Sequence, residues 1–330
     1  MDKETLSNYG WIVICVLVLA VMIALAGPFG NFIAGAIKST TAGFFSVNQN
    51  AMESAGITID SQEFPSEPDP ALNPNDGSIP QVGDIFRYGD YEYCYGLSWC
   101  ESGTWSSMCS AAICGCYEVT DGWGVRCINN VAAPGPILET INSKPVTSLS
   151  GTFSGCTALT IAPKIPSTVT NMLATFRDCT SMKTAPMVPN GVTDMGLTFS
   201  GCTSLTDLSN LTIPNSVTNM NSTFERCASL IDAHGITIPS GVYLYGTFNE
   251  CTLLNKAPVI PNDVTCMIQT FRYCTSLTGI ITLNATPNEY IECFYEVDMS
   301  KITLAGSCDA TLKQTLANTG KNGSQVTIID

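Results

Sequence analysis

Histidine is almost missing from this chain: 330 residues contain one, His234. A histidine-rich metal site, a histidine-based triad and the usual proton relay are therefore excluded, and His234 reads as a loop residue between repeats. Charge is also scarce. Charged residues make up 13%, with 14 Lys+Arg against 28 Asp+Glu and a formal net charge of −14. No two basic residues are adjacent, so there is no electrostatic footprint for nucleic acid. The acidity keeps the chain soluble and says little more. Nothing in the sequence pairs a nucleophile with a base, sets two carboxylates together or forms a phosphate loop, so an enzyme is the weakest functional class and no cofactor is implied. Asp84, Asp90, Glu92 and Glu101 are neighbours in sequence, and a solvated surface accounts for them. No LPxTG-type sorting signal follows the last repeat, so attachment is expected through the N-terminus.

That N-terminus holds an uncharged run, Trp11–Ile37, continuously apolar over Trp11–Ala26. Crossing a bilayer core takes about 20 such residues. Three readings compete: a cleaved signal peptide ending at Ala24-Leu25-Ala26, an uncleaved anchor, and a pilin-like assembly helix. The leader carries Asp2 and Glu4 beside Lys3, unlike the basic start of a signal peptide, so an anchor or assembly helix is favoured. In the helical readings, residues 1–59 form one long helix whose second half is amphipathic through Phe32, Ala36, Ile37, Phe44, Phe45 and Val47. Membrane binding or self-association is expected through residues 1–55. Residues 60–80 hold five prolines and five acidic residues and read as an extended spacer.

Residues 81–144 read as a small β-rich cap. Tyr91, Tyr93 and Tyr95 alternate as on one strand face, after a strand at Ile85–Tyr88 and before another at Trp123–Asn129. The aromatics here suit either a sugar-stacking face or the covering of an open repeat end, and the second is favoured. Cys94, Cys100, Cys109, Cys114, Cys116 and Cys127 fall within 34 residues, the best place in this exported chain for at least one disulfide.

From residue 145 to 297 one pattern recurs. Phe153, Phe176, Phe199, Phe224, Phe248, Phe271 and Phe294 are spaced 23, 23, 25, 24, 23 and 23 residues apart. Three positions after the first six stand Cys156, Cys179, Cys202, Cys227, Cys251 and Cys274. Three further on come Leu159, Met182, Leu205, Leu230, Leu254 and Leu277. Five units then show a β-branched residue before proline, as at Ile165-Pro166. Such a period is a leucine-rich-repeat signature. One unit cannot bury its apolar side alone, whereas stacked units turn each column into a continuous core ladder. The Cys column is expected to hold free, buried thiols whose S–H reaches a turn carbonyl. Ligands spread along an axis cannot converge on zinc, and parallel side chains set Cβ atoms too far apart for disulfides between rungs. An extra proline at Pro163, Pro186 and Pro258 should shorten any strand there.

The segment "TSLTDLSNLTIPNSVTNMNSTFERC" (residues 203–227) resembles the BspA-like leucine-rich repeats of bacterial surface proteins, with Thr where that family often has Ala before Phe. The resemblance implies a repeat solenoid, mainly β with irregular turns, and an association with adhesion and host or matrix binding. Residues 298–330 read as a C-terminal cap, with Asp309 capping a short helix to about Asn318, Gly320 ending it and a last strand at "QVTII". The expected function is a surface-displayed, non-enzymatic module that binds an extracellular protein or glycan. The alternative is a subunit of a pilus-like filament with the repeats as decoration.

Overall fold

The computed structural model describes residues 79–99, 105–106 and 121–329. The expected helix over residues 1–59, the spacer, and Cys100, Cys109, Cys114 and Cys116 lie outside them. Among the described residues no helix is long and apolar enough to cross a membrane.

The N-terminal part is a sheet of five strands in the order β1-β2-β5-β7-β6. β1 (Ile85–Tyr88) and β2 (Tyr91–Tyr95) form a hairpin, and β2 pairs antiparallel with β5 (Trp123–Cys127). β5 runs parallel to β7 (Lys144–Ser148), and β6 (Thr140–Ile141) closes the edge. β3 (Ser98–Trp99) and β4 (Trp105–Ser106) pair separately. Both faces of β2 are buried, including Glu92, which Arg87 and Arg126 clamp at 2.7 and 3.1 Å. Those two cations offset the cost of burying the carboxylate.

From Ser148 onward the chain coils once per repeat. The coils do not form continuous strands: single parallel bridges link Ser148, Asn171, Asp194, Asn219 and Tyr243 in turn. Interrupted pairing is therefore general and not confined to the proline-bearing units. Its cause is a division of the backbone donors. Met172, Ala174, Phe176 and Asp178 give their N–H groups to the following coil, while Thr175, Arg177 and Cys179 give theirs back to Met172, Ala174 and Phe176. Half the bonds stack coils and half curl each coil inward.

That curl takes left-handed backbone at two places per coil, two residues before and two after each Phe. Ala174, Leu197, Ser222 and Gln269 stand at the first, with φ of 51–56°. Asp178, Arg226, Glu250 and Tyr273 stand at the second, with φ of 57–61°. A side chain in this region costs roughly 1 kcal/mol or more, so the hydrogen bonds to both neighbouring coils have to hold it there.

The array ends on β8 (Gly279–Thr282), β9 (Ile302–Ala305) and β10 (Thr327–Ile328), a parallel three-stranded sheet in the order β10-β9-β8. Helix α1 (Ala310–Ala317) begins where Asp309 accepts the N–H groups of Thr311 and Leu312. Its C-cap is Asn318, where the helix was expected to end.

Candidate interaction surface

The repeated residues point inward, with Cys156 at the first coil only partly buried. Every Phe of the column is fully buried. Their rings stack face to face at 5.3–5.7 Å, with interplanar angles of 3–12°. Leu159, Met182, Leu205, Leu230, Leu254 and Leu277 lie beside them at 0–1% exposure. Tyr91 closes the N-terminal end of the stack edge-on against Phe153 at 6.0 Å, its hydroxyl donating to Gly135 O at 2.7 Å. Phe86, Tyr93, Tyr95 and Trp123 are buried in the same core, so these rings cover the array's end and present no sugar-stacking face.

Cys179, Cys202, Cys227, Cys251 and Cys274 are free, buried thiols. Each donates its S–H to the carbonyl of the preceding coil's Phe at 3.0–3.1 Å. Burial pushes these thiols up, Cys202 to about 12, because desolvation penalises the thiolate. Cys156 differs, being only partly buried. In the cap, Cys94 is a buried free thiol and Cys127 a half-buried one. Burial pushes Cys94 up to about 11, with Glu92 adding to it. Val297 takes the Cys position after Phe294 and is fully buried.

One column escaped the sequence reading because it looks polar. Thr152, Thr175, Thr198, Thr223, Thr247 and Thr270, each just before a Phe, are 0–2% exposed. Their hydroxyls reach back to the preceding coil, Thr175 to Leu149 O at 2.9 Å, Thr198 to Met172 O at 2.8 Å and Thr223 to Met195 O at 2.9 Å. Strict recurrence at a Thr-Phe dipeptide was the available signal.

The inward columns leave the positions between them for outside contact. Near the C-terminal end, Arg272 lies 4.5 Å over the Tyr273 ring and 5.4 Å from that of Tyr295. The two tyrosines meet edge to face at 5.5 Å, and Glu292 holds the guanidinium at 2.9 Å. Ile291 beside them is 68% exposed. Tyr295 is exposed and Tyr273 half-buried, and such a ring pair with a fixed cation can stack against flat apolar faces and donate hydrogen bonds.

A shallow cleft of about 400 Å³ opens elsewhere, lined by Leu208, Ser209, Leu211, Asp232, His234, Gly235 and Ile236. Asp232 is ion-paired with Lys256 at 2.8 Å and accepts the His234 N–H at 2.8 Å. The lysine, and then the backbone donor, lower its pKa. The cleft coincides with the longer Phe spacings of 25 and 24 residues, although His234 itself reads in the sequence only as a loop residue between repeats. Among the described residues no group of three or more His, Cys, Asp or Glu is placed to hold a metal.

Three solved structures are similar to this chain. One is a leucine-rich repeat protein of T. pallidum, at 19% identity and TM-score 0.33, covering 63% of this chain and 92% of its own. Another is a leucine-rich cell surface protein of Faecalibacterium prausnitzii, at 19% identity and TM-score 0.36, covering 64% of this chain. The third is a leucine-rich repeat protein of Bacteroides ovatus, at 22% identity and TM-score 0.26, covering 58%. The match spans 56% and 64% of the latter two proteins' own chains. No curated protein matches. The BspA type leucine-rich repeat region matches in six copies over residues 140–255 and 198–322. Those copies take in more than half of the 330 residues, and the chain belongs to the BspA-type leucine-rich repeat family.

Proposed function

We propose that this protein is a non-enzymatic binding or adhesion module displayed at the bacterial cell surface, held there through residues 1–55, with the repeats as its contact surface. The observation that carries the reading is the division of labour within each coil. Phe, Thr, Cys and Leu are spent on the interior, whereas the position two residues after Phe is free to be Gly155, Asp178, Gly201, Arg226, Glu250 or Tyr273 on an unchanged backbone, and in all of these coils but that of the buried Gly201 it reaches the surface. A frame that holds its backbone while changing its outward side chains suits recognition. The Arg272–Tyr273–Tyr295 group and the cleft beside His234 are its best contact points, because aromatic and arginine anchors supply most binding energy at interfaces.

The test is solid-phase binding of the purified full chain to matrix proteins and mucin glycans, with Tyr273→Ala/Tyr295→Ala and His234→Ala as folded comparators. The reading expects at least one saturable ligand and a loss of about tenfold or more in one of the variants. Binding unaffected by both variants, or no binding at all, would remove its basis. Negative-stain microscopy of the same preparation separates the filament alternative, which requires long polymers.

A further inference from the structure

The first rung of the thiol column is built differently from the rest. From Cys179 to Cys274 each sulfur faces the carbonyl of the preceding coil's Phe. Cys156 has no preceding coil, and strand β5 takes that place. The Cys127 thiol, whose S–H donates to Asn129 O at 3.0 Å, faces Cys156 at this end of the column. The backbones around them are pinned together. Cys127 N–H donates to Thr152 O at 2.8 Å, and Thr152 Oγ1 donates to Val125 O at 2.7 Å. Asn130 reaches across to Thr157 Oγ1 at 3.3 Å and accepts the Ala158 N–H at 2.9 Å. Both cysteines are partly exposed, whereas Cys179 to Cys274 are buried.

We propose that Cys127 and Cys156 are a disulfide-forming modification site that covalently fastens the N-terminal sheet to the first coil of the array. The pairing differs from the one within the cap that cysteine density suggested, and from a rung-to-rung link. Cys156 is the attacking thiol. The Cys127 thiol beside it lowers its pKa against the opposing effect of burial, whereas Cys127 itself is pushed up by Cys156 and by burial, so Cys156 supplies the thiolate, the reactive form.

The oxidant is a low-molecular-weight disulfide. The Cys156 thiolate attacks one of its sulfurs, breaking that S–S bond, forming a mixed disulfide and releasing one small thiolate. The Cys127 thiol gives up its proton and attacks Cys156 Sγ, forming the Cys127–Cys156 bond and expelling the second small thiolate. The two cysteines lose two protons and two electrons, and the small disulfide becomes two thiols. Cys94 and Cys202, with raised values and buried sulfurs, do not compete.

The experiment treats the reduced full chain with oxidised glutathione under native conditions, quenches with acid and maps peptides by mass spectrometry. The expected product is a Cys127–Cys156 linked peptide pair lighter by two hydrogen atoms. In a parallel reaction with iodoacetamide, Cys156 should label at least about tenfold faster than Cys202. In Cys127→Ser the resolving thiol is gone, so a glutathione adduct should persist on Cys156. A stable Cys156 adduct in the unsubstituted chain, a link from either residue to another cysteine, or no modification of either would overturn the proposal. Should Cys127→Ser fail to fold, the map of the unsubstituted chain decides alone.

Discussion

From Phe153 to Phe248 each Phe carbonyl accepts twice: Phe176 O takes the Cys179 N–H of its own coil at 3.1 Å and the Cys202 thiol of the next at 3.1 Å. The residue three positions after Phe must therefore be small, apolar enough to bury and able to donate, and cysteine meets all three demands. The Thr column solves the same problem with a stronger donor, Thr198 Oγ1 lying 2.8 Å from both Met172 O and Met195 O. These roles separate on mutation. Phe199→Ala should cost about 3–5 kcal/mol, the usual loss for emptying an aromatic core position. Thr198→Val keeps the volume and removes one donor from each of two carbonyls that retain other partners, and should cost about 0.5–1.5 kcal/mol. Thr203→Ala, at an exposed position, should cost under about 0.5 kcal/mol. Urea unfolding of the three variants measures this ranking, and equal losses for Phe199 and Thr203 would mean that the columns do not hold the coil together.

At the level of elements, the two ends must finish what a coil would otherwise supply. Sheet strands do this at the N-terminus; at the C-terminus a web of side chains does, with the Phe294 N–H donating to Thr319 Oγ1 at 2.9 Å. The fully buried Lys313 donates to Ile329 O at 2.7 Å. Asp298 anchors the turn before β9, accepting from Asn322 Nδ2 at 2.8 Å and Ser300 Oγ at 2.7 Å, with Lys301 at 3.2 Å. The Asn322 amide first, then Ser300, holds its carboxyl well below the usual carboxylate range. Because the folded value is depressed, the stabilisation is complete above the unfolded value of about 3.9. It is lost as pH falls through the folded value. Asp298→Ala should therefore lower the melting temperature at pH 7, and the gap to the unsubstituted chain should narrow between about pH 5 and pH 2. A gap that stays constant across that range would show that the charge contributes nothing. The elements legible in the sequence are those with local signals. The Tyr91–Tyr95 alternation marks β2, and Asp309 marks the start of α1. The left-handed positions were only partly legible: Gly155 and Gly201 carry the glycine that favours this backbone, whereas Asp178, Arg226, Glu250 and Tyr273 adopt it with unrelated or longer side chains. Array geometry imposes that conformation on those four, and no local propensity announces it there.

Across the whole array, the repeat was readable because stacking makes every coil solve one packing problem, which leaves the same residues at a fixed interval. The Cys127–Cys156 contact was not, since Cys127 belongs to a strand outside the period and only the fold brings it to the first rung. The cleft beside His234 needed the structure as well, since the two lengthened intervals show only that these coils carry extra residues. This quasi-one-dimensional build has a consequence for how damage spreads. Phe224 stacks on Phe199 at 5.6 Å and on Phe248 at 5.4 Å, and stability in such arrays is approximately a sum of unit and nearest-neighbour terms. Phe224→Ala removes two interfaces at once in the middle of the stack. Amide exchange should then accelerate most in the coils carrying Phe199, Phe224 and Phe248, where Thr223, Thr247 and their neighbours lose protection. Amides of β2 and β9, several coils away, should change much less. The measurement is native-state hydrogen exchange read by peptide mass, comparing the variant with the unsubstituted chain. Local loss that decays with distance follows from nearest-neighbour coupling. Equal acceleration from β2 to β9 would instead mean that the array opens as one cooperative unit, with the end sheets unable to hold when a central coil fails.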